Sequence, residues 1–289
     1  MLINVVMKKV TSLDFIEMKK RQEKITVLTS YDYPMAKALD HAGIDALLVG
    51  DSMGMVIYGH SSTLPVTVED TIRHCQAVAR ATERAMVIAD MPFMSFALPE
   101  DAVKNAGAML KFGNADAVKL EGGRERVKSI QMMVECGIPV MGHIGLTPQY
   151  VHQFGGFKVQ GKSAIAAERL VEDAMLLEEA GVFSIVLETI PWKVAQEITK
   201  RVHVPTIGIG AGVYCDGQVL VAQDMMGFAE ATYFKFLKKY ANVWETMVNA
   251  GKAYIDDVRN NVFPAKENSF EISDEEFAQF EELLKKKAN

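Results

Sequence analysis

Cysteine is scarce in this chain: three residues in 289, at positions 75, 136 and 215. The count is odd, the spacing is wide and no Cys-x-x-Cys pair occurs. That excludes a disulfide framework and a zinc ribbon, and it fits a reducing compartment. No apolar run is long enough to cross a bilayer as a helix. Residues 1–7 hold a few apolar side chains, without a basic stretch before them or a small-residue cleavage site after them. No signal peptide is therefore expected, and the expected location is the cytoplasm. Like charge does not cluster either. The longest block is Lys285-Lys286-Lys287, which reads as a solvated helix end, and the formal net charge is -6. Such a chain offers no basic surface to nucleic acid or to an anionic membrane. There is no linker rich in Pro, Gly or Ser and no internal repeat. The expectation is one domain, 1–289, with a core over about 11–262 and an appended polar segment at 263–289.

What the chain has instead is apolar bulk and a regular alternation. Hydrophobic residues make up 49% of it, enough for a large core. Short, near-continuous apolar runs at 25–28, 44–50, 86–90, 116–121, 139–143, 182–188, 205–209 and 218–223 read as strands. Helical patterns lie between most of them, at 34–41, 67–80, 99–112, 123–136, 163–180 and 191–201. A further helix is expected at 11–22, capped by Thr11 or Ser12, and others over 232–260. Residues 144–162 form the longest expected loop. Ser273-Asp274-Glu275-Glu276 has the form of a capping box for a terminal helix. Apolar strands alternating with helices imply a parallel sheet, and about eight such units in this length favour a (β/α)8 TIM barrel over a doubly wound sheet.

Several strands end in an acid. Asp51, Asp90, Glu121 and Glu188 all fall at strand C-terminal ends, and His143 falls at another. Barrel enzymes build their sites there. Side chains alternate along a strand, so Lys119 and Glu121 share a face. Asp51, Asp90 and Glu121 offer only carboxylate oxygen, which suits a hard cation such as Mg2+. Each residue also has a plainer account. Asp51, Asp90 and Glu188 are placed to cap the helices that follow. Lys119 can simply pair with a neighbouring acid, and His143 can be a hydrogen-bonded structural histidine. His41, His60, His74, His152 and His203 have no ligand-like spacing.

Two glycine-rich stretches need separate readings. Gly156-Phe157-Lys158-Val159-Gln160-Gly161-Lys162-Ser163 fits the letters of a P-loop, but no buried strand precedes it, so no nucleotide site is read there. Gly208-Ile209-Gly210-Ala211-Gly212 lacks dinucleotide spacing and is either a phosphate nest or a tight turn.

Six motifs then occur together and in order. They are Val49-Gly50-Asp51-Ser52-Met53-Gly54, Ser62-Thr63-Leu64-Pro65-Val66-Thr67, Ala89-Asp90-Met91-Pro92-Phe93, Val118-Lys119-Leu120-Glu121-Gly122-Gly123, Gly142-His143-Ile144-Gly145-Leu146-Thr147-Pro148-Gln149 and Ile207-Gly208-Ile209-Gly210-Ala211-Gly212. As an ordered set they resemble the ketopantoate hydroxymethyltransferase (3-methyl-2-oxobutanoate hydroxymethyltransferase) family over about 11–270. The resemblance implies a barrel of the phosphoenolpyruvate/pyruvate type and a homodecamer. It implies Mg2+ held by Asp51 and Asp90, with Glu121 reaching it through water. It also implies that Asp51, Ser52, Asp90 and Lys119 contact an α-keto acid and that Glu188 accepts a proton, with 5,10-methylenetetrahydrofolate as one-carbon donor. The implied reaction turns 3-methyl-2-oxobutanoate into 2-dehydropantoate, at the start of pantothenate biosynthesis. Two stretches depart from the family pattern: Gln223-Asp224, where His-Asp is common, and the loop Val213-Tyr214-Cys215-Asp216-Gly217. Two other accounts remain. One is a C–C lyase on the same barrel, which needs a reactive loop cysteine. The other is a catalytically dead scaffold or ligand sensor, which would have lost acids that are all present here.

Overall fold

The computed structural model describes residues 8–230 and 234–287. Residues 1–7, the stretch considered for a signal peptide, lie outside them, as does the beginning of the helical region expected from 232. The chain divides into two compact units, 1–225 with 232–239, and 226–231 with 240–289.

The first unit is a closed parallel barrel with strands in sequence order, β1 to β8. These are β1 Ile25–Thr29, β2 Ala46–Val49, β3 Met86–Asp90, β4 Ala117–Glu121, β5 Val140–Gly145, β6 Ser184–Glu188, β7 Thr206–Ile209 and β8 Gly217–Leu220. The helices are α1 Ser12–Lys20, α2 Tyr33–His41, α3 Met53–Val56, α4 Val68–Ala81, α5 Pro99–Gly113, α6 Val127–Glu135, α7 Val151–Phe154, α8 Ala164–Glu179, α9 Trp192–Arg201 and α10 Ala222–Met226. Local chemistry sets their starts. Thr11 and Asp14 form a capping box on α1, and Thr67 and Asp70 form one on α4. Pro99 opens α5, and Asn114 closes it in the left-handed conformation. None of the helices described is long and apolar enough to cross a membrane.

α1 decides which end of the barrel is open. Phe15 is fully buried and meets Phe183 edge-on at 5.7 Å between ring centroids. With Val10 and Met18 it joins Ile25, Met86, Ala117 and Met141, residues from the first turns of their strands. Burying a side chain such as Phe15 contributes about 1.5–3 kcal/mol. Lys19 fastens the helix by donating to the carbonyls of Thr199, Val202 and Val204 at 3.2, 2.9 and 2.9 Å. The N-terminal end is thus plugged, and the C-terminal strand ends form the mouth.

Closure depends on one glycine. β8 pairs with β1 from Ile25↔Gly217 to Leu28↔Leu220. A Cβ at Gly217 would sit 2.4 Å from the Ile25 carbonyl oxygen, so no larger residue fits that approach. The eighth strand is shorter than the expected 218–223. After Leu220 the chain turns, Ala222 N–H donates to Thr29 Oγ1 at 3.0 Å, and Gln223 lies in α10. The apolar run Val219-Leu220-Val221-Ala222 straddles a strand end and a helix start, an ambiguity that periodicity cannot resolve at this length. The long 144–162 segment is also less irregular than expected. It holds a 3-10 turn, Pro148–Tyr150, and α7, which ends at left-handed Gly155.

In the second unit, α11 Val243–Arg259 is capped by Asn242. The terminal helix α12 Asp274–Lys287 begins where Ser273 Oγ accepts from Glu276 N–H at 3.2 Å. Neither helix has a buried residue. Trp244, Met247, Val248, Tyr254, Ile255 and Val258 of α11 are all exposed.

Candidate active site

The strand ends bring the expected residues to one mouth. Asp90 and Glu121 are the last residues of β3 and β4, and Glu188 is the last of β6. Asp51 follows β2 by two residues, and His143 lies within β5. The register sets Lys119 beside Asp90, His143 beside Glu121 and Glu188 beside Gly145. Gly145, at φ +100°, is required at that last crossing: a Cβ there would lie 2.3 Å from the Glu188 carbonyl oxygen.

None of the acids caps a helix. α3 starts at Ser52 without a side-chain capping bond, α5 starts at Leu98 and α9 at Pro191. The acids are held by one another's neighbours instead. Asp51 N–H donates to Asp90 Oδ2 at 3.2 Å. Lys119 Nζ lies 2.8 Å from Asp90 Oδ1 and donates to His143 Nδ1 at 3.2 Å. An ammonium can only donate, so Nδ1 is an acceptor and the imidazole proton sits on Nε2. Nε2 lies 3.2 Å from Glu188 Oε2, short of full hydrogen-bond alignment. Ser52 Oγ and the Tyr31 hydroxyl share a hydrogen bond of 2.9 Å.

Burial dominates the electrostatics. It pushes Asp51 up to about 7, helped by the nearby Asp90 charge and opposed by Lys119. Burial raises Glu121 well above the usual carboxylate range, with Lys119 opposing. Burial likewise pushes Glu188 up to about 7, against the opposing charge of Lys119. Burial works against the charge on Lys119, but Asp90, Glu121 and Asp51 outweigh it and hold the ammonium above its ordinary value. Burial and then Lys119 push His143 well below the usual histidine range, so it is neutral.

Among the described residues no group of three or more His, Cys, Asp or Glu side chains stands as a ready metal cage. The donor set nevertheless fits a divalent cation. Asp51, Asp90 and Glu121 are buried around a single buried ammonium, Lys119, so full ionisation leaves two carboxylates uncompensated. Oxygen donors carrying that excess charge suit a hard ion.

Comparison with known proteins identifies the lineage. A model of the family described as ketopantoate hydroxymethyltransferase matches residues 9–266. The chain belongs to the ketopantoate hydroxymethyltransferase family. It is 55% identical over 264 residues to the 3-methyl-2-oxobutanoate hydroxymethyltransferase of Syntrophus aciditrophicus (strain SB), covering 91% of this chain and 97% of that protein. The Acetivibrio thermocellus protein of the same name is 50% identical over 267 residues, covering 92% and 94%. Among solved structures the fold is similar to phosphonopyruvate hydrolase, with TM-score 0.59, 12% identity and coverage of 96% and 97%. It is also similar to 2,3-dimethylmalate lyase, a phosphoenolpyruvate mutase/isocitrate lyase superfamily member, with TM-score 0.56, 14% identity and coverage of 96% and 97%.

The remaining features of this ketopantoate hydroxymethyltransferase family member fall into place around the mouth. No cysteine suits a lyase. Cys75 is buried in α4, burial pushes Cys215 up to about 11, and Cys136 ends α6 ahead of β5, at the plugged end. Gly156–Ser163 is no P-loop: it follows α7, and Ser163 spends its side chain on Ala166 N–H as the cap of α8. Gly210 and Gly212 are both left-handed, at φ +63° and +86°, and a Cβ at either would crowd Phe236 or Trp192. Gln223 is buried, with Nε2 3.6 Å from Met35 Sδ. Two residues escaped the sequence reading: Tyr31, which holds Ser52, and Gln149, whose side chain reaches Asp51. Both are uncharged, so a search for acids passes over them.

Proposed function

We infer that the protein is a 3-methyl-2-oxobutanoate hydroxymethyltransferase, using 5,10-methylenetetrahydrofolate and water to make 2-dehydropantoate and tetrahydrofolate at the start of pantothenate biosynthesis. The observation that carries this reading is the run of close contacts from Asp90 through Lys119 and His143 to Glu188, inside the mouth of a barrel of this family.

Asp51 and Asp90 would hold Mg2+, and Glu121 would reach it through water, as the family resemblance implies. When bound, the ion supplies a Lewis acid that polarises the keto group and acidifies the adjacent C3–H. Lys119 and Ser52 orient the α-keto carboxylate, and Lys119 adds positive charge as the enolate forms. Glu188 takes the C3 proton. Its raised pKa makes it a stronger base than an exposed glutamate, and the neutral His143 ring lies beside it, with Nε2 3.2 Å from Oε2. C3 then attacks the folate methylene carbon as the C–N bonds break, water supplies the hydroxyl oxygen, and the protons released end on the folate nitrogens. Nothing in this scheme needs a nucleic acid or a membrane. Three unpaired cysteines suit a cytoplasmic setting.

The test is direct. The purified protein with 3-methyl-2-oxobutanoate, methylenetetrahydrofolate and Mg2+ is expected to form 2-dehydropantoate, and excess EDTA is expected to stop it. Absence of product with Mg2+ present would end this reading.

A homo-oligomer, decameric in this family by resemblance, completes the reading. Its support here is the exposed apolar face of α11. Apolar surface of that kind is normally covered in an assembly. Light scattering is expected to give a mass several times that of the chain, and a monomer at micromolar concentration would remove this part.

A further inference from the structure

Gln149 is an uncharged residue set among the acids of the mouth, and it is 3% exposed. Its Nε2 donates to Asp51 Oδ2 at 2.9 Å and to the Met91 carbonyl at 2.9 Å. Its backbone N–H donates to Glu121 Oε2 at 3.0 Å. One residue therefore ties the ends of β2, β3 and β4 to the turn that follows β5. The turn is itself fixed. Tyr150 N–H donates to the Thr147 carbonyl at 2.9 Å, and Arg126 donates to the Tyr150 hydroxyl.

The amide can point only one way. The Met91 carbonyl can only accept, so the group 2.9 Å from it must be Nε2, and the amide oxygen cannot take its place. That leaves Oε1 buried and without a hydrogen bond. A buried acceptor with no donor is costly, and such groups ordinarily have a reason. The reason here is a donor that the polypeptide does not supply. Mg2+ usually keeps several of its waters, and a cation-bound water is a strong hydrogen-bond donor.

We propose that Gln149 is a positioning residue of the cation site: its Nε2 and N–H set the Asp51 and Glu121 carboxylates in place, and its Oε1 accepts from a water carried by the cation. The proposal rests on the Mg2+ part of the hydroxymethyltransferase reading and deepens it.

The experiment measures metal binding without catalysis. Mn2+ serves as the probe, with free Mn2+ read by electron paramagnetic resonance in the absence of keto acid and folate. Gln149→Met fills the same space without polar atoms, and Gln149→Asn keeps the amide but is one methylene too short to reach Asp51. Both are expected to bind Mn2+ at least ~10-fold more weakly than the wild type, because the tie to Asp51 and the water acceptor are both lost while the backbone bond to Glu121 stays. Their urea midpoints in EDTA are expected to fall modestly, from the two buried side-chain hydrogen bonds removed, and added Mn2+ is expected to raise the wild-type midpoint more than theirs, a difference that a purely structural tie would not give. Affinities within about twofold of the wild type would overturn the role of Gln149 alone. Failure of both variants to fold in EDTA would make the residue a structural tie and overturn it too. A wild type that binds no Mn2+ would instead overturn the cation reading itself.

Discussion

Glu188→Gln is expected to bind 3-methyl-2-oxobutanoate nearly as the wild type does while losing exchange of the C3 proton in deuterated water. The expected fall in kcat is about 10²–10⁴-fold, the range for removal of a positioned general base. The substitution preserves size and can still meet His143 Nε2–H through its amide oxygen, so the pocket is not emptied. What is lost is the carboxylate itself. Burial pushes Glu188 up to about 7, and its side chain keeps 17% exposure, enough for a substrate carbon to approach. The base is the ionised form. Exchange in the wild type is therefore expected to fall as pH drops below about 7, with a bound cation moving that limb lower by its positive charge. Proton NMR of the substrate methine in D2O reads both effects. Exchange by Glu188→Gln at near-wild-type rate would take the base role away from this residue.

The same burial explains what was legible in the sequence. An acid ending an apolar run needs a partner, and Asp51, Asp90, Glu121 and Glu188 stood out for that reason. Burial of an acid is not sufficient. Asp40 and Asp45 are also buried, yet they sit at the plugged end. There Asp40 accepts the N–H groups of Glu83, Arg84 and Ala85, and Asp45 pairs with Arg84. The end of the strand distinguishes the two sets, and a parallel barrel makes that readable from chain order alone. The Gln149 contact was not readable in this way. It depends on a 3-10 turn folding back across three strand ends, and no spacing in a single sequence encodes that return. Nor could the sequence separate pairing from catalysis at Lys119. The structure has it doing the first with Asp90, while its second bond fixes the tautomer of His143.

Lys119→Met tests how much the mouth depends on that one cation. Methionine has similar bulk and no charge, so the packing around a side chain only 4% exposed is kept. Asp51, Asp90 and Glu121 then lose their buried counter-charge. Removing one partner of a buried pair costs about 3–5 kcal/mol, a large share of the ~5–15 kcal/mol that holds a typical domain. The pH dependence has a definite sign. Asp51 rises from 3.8 and Glu188 from 4.5, each to about 7, in the folded protein. For a group whose folded pKa is raised, the folded state binds more protons than the unfolded one between the two values. That contribution is fully present below the unfolded value and is lost as pH rises through the folded one. Without Lys119 the carboxylates rise further, so the loss extends to higher pH. In EDTA the gap in urea midpoint between wild type and Lys119→Met is therefore expected to widen from pH 5 to pH 8. Mg2+ is expected to narrow it again at pH 8 by restoring positive charge among the acids. The variant is also expected to lose C3 exchange, because His143 Nδ1 no longer has a donor to hold its tautomer and Nε2–H need not face Glu188. A gap that is equal at the two pH values, or smaller at pH 8, would mean that Lys119 does not balance the charge of these acids.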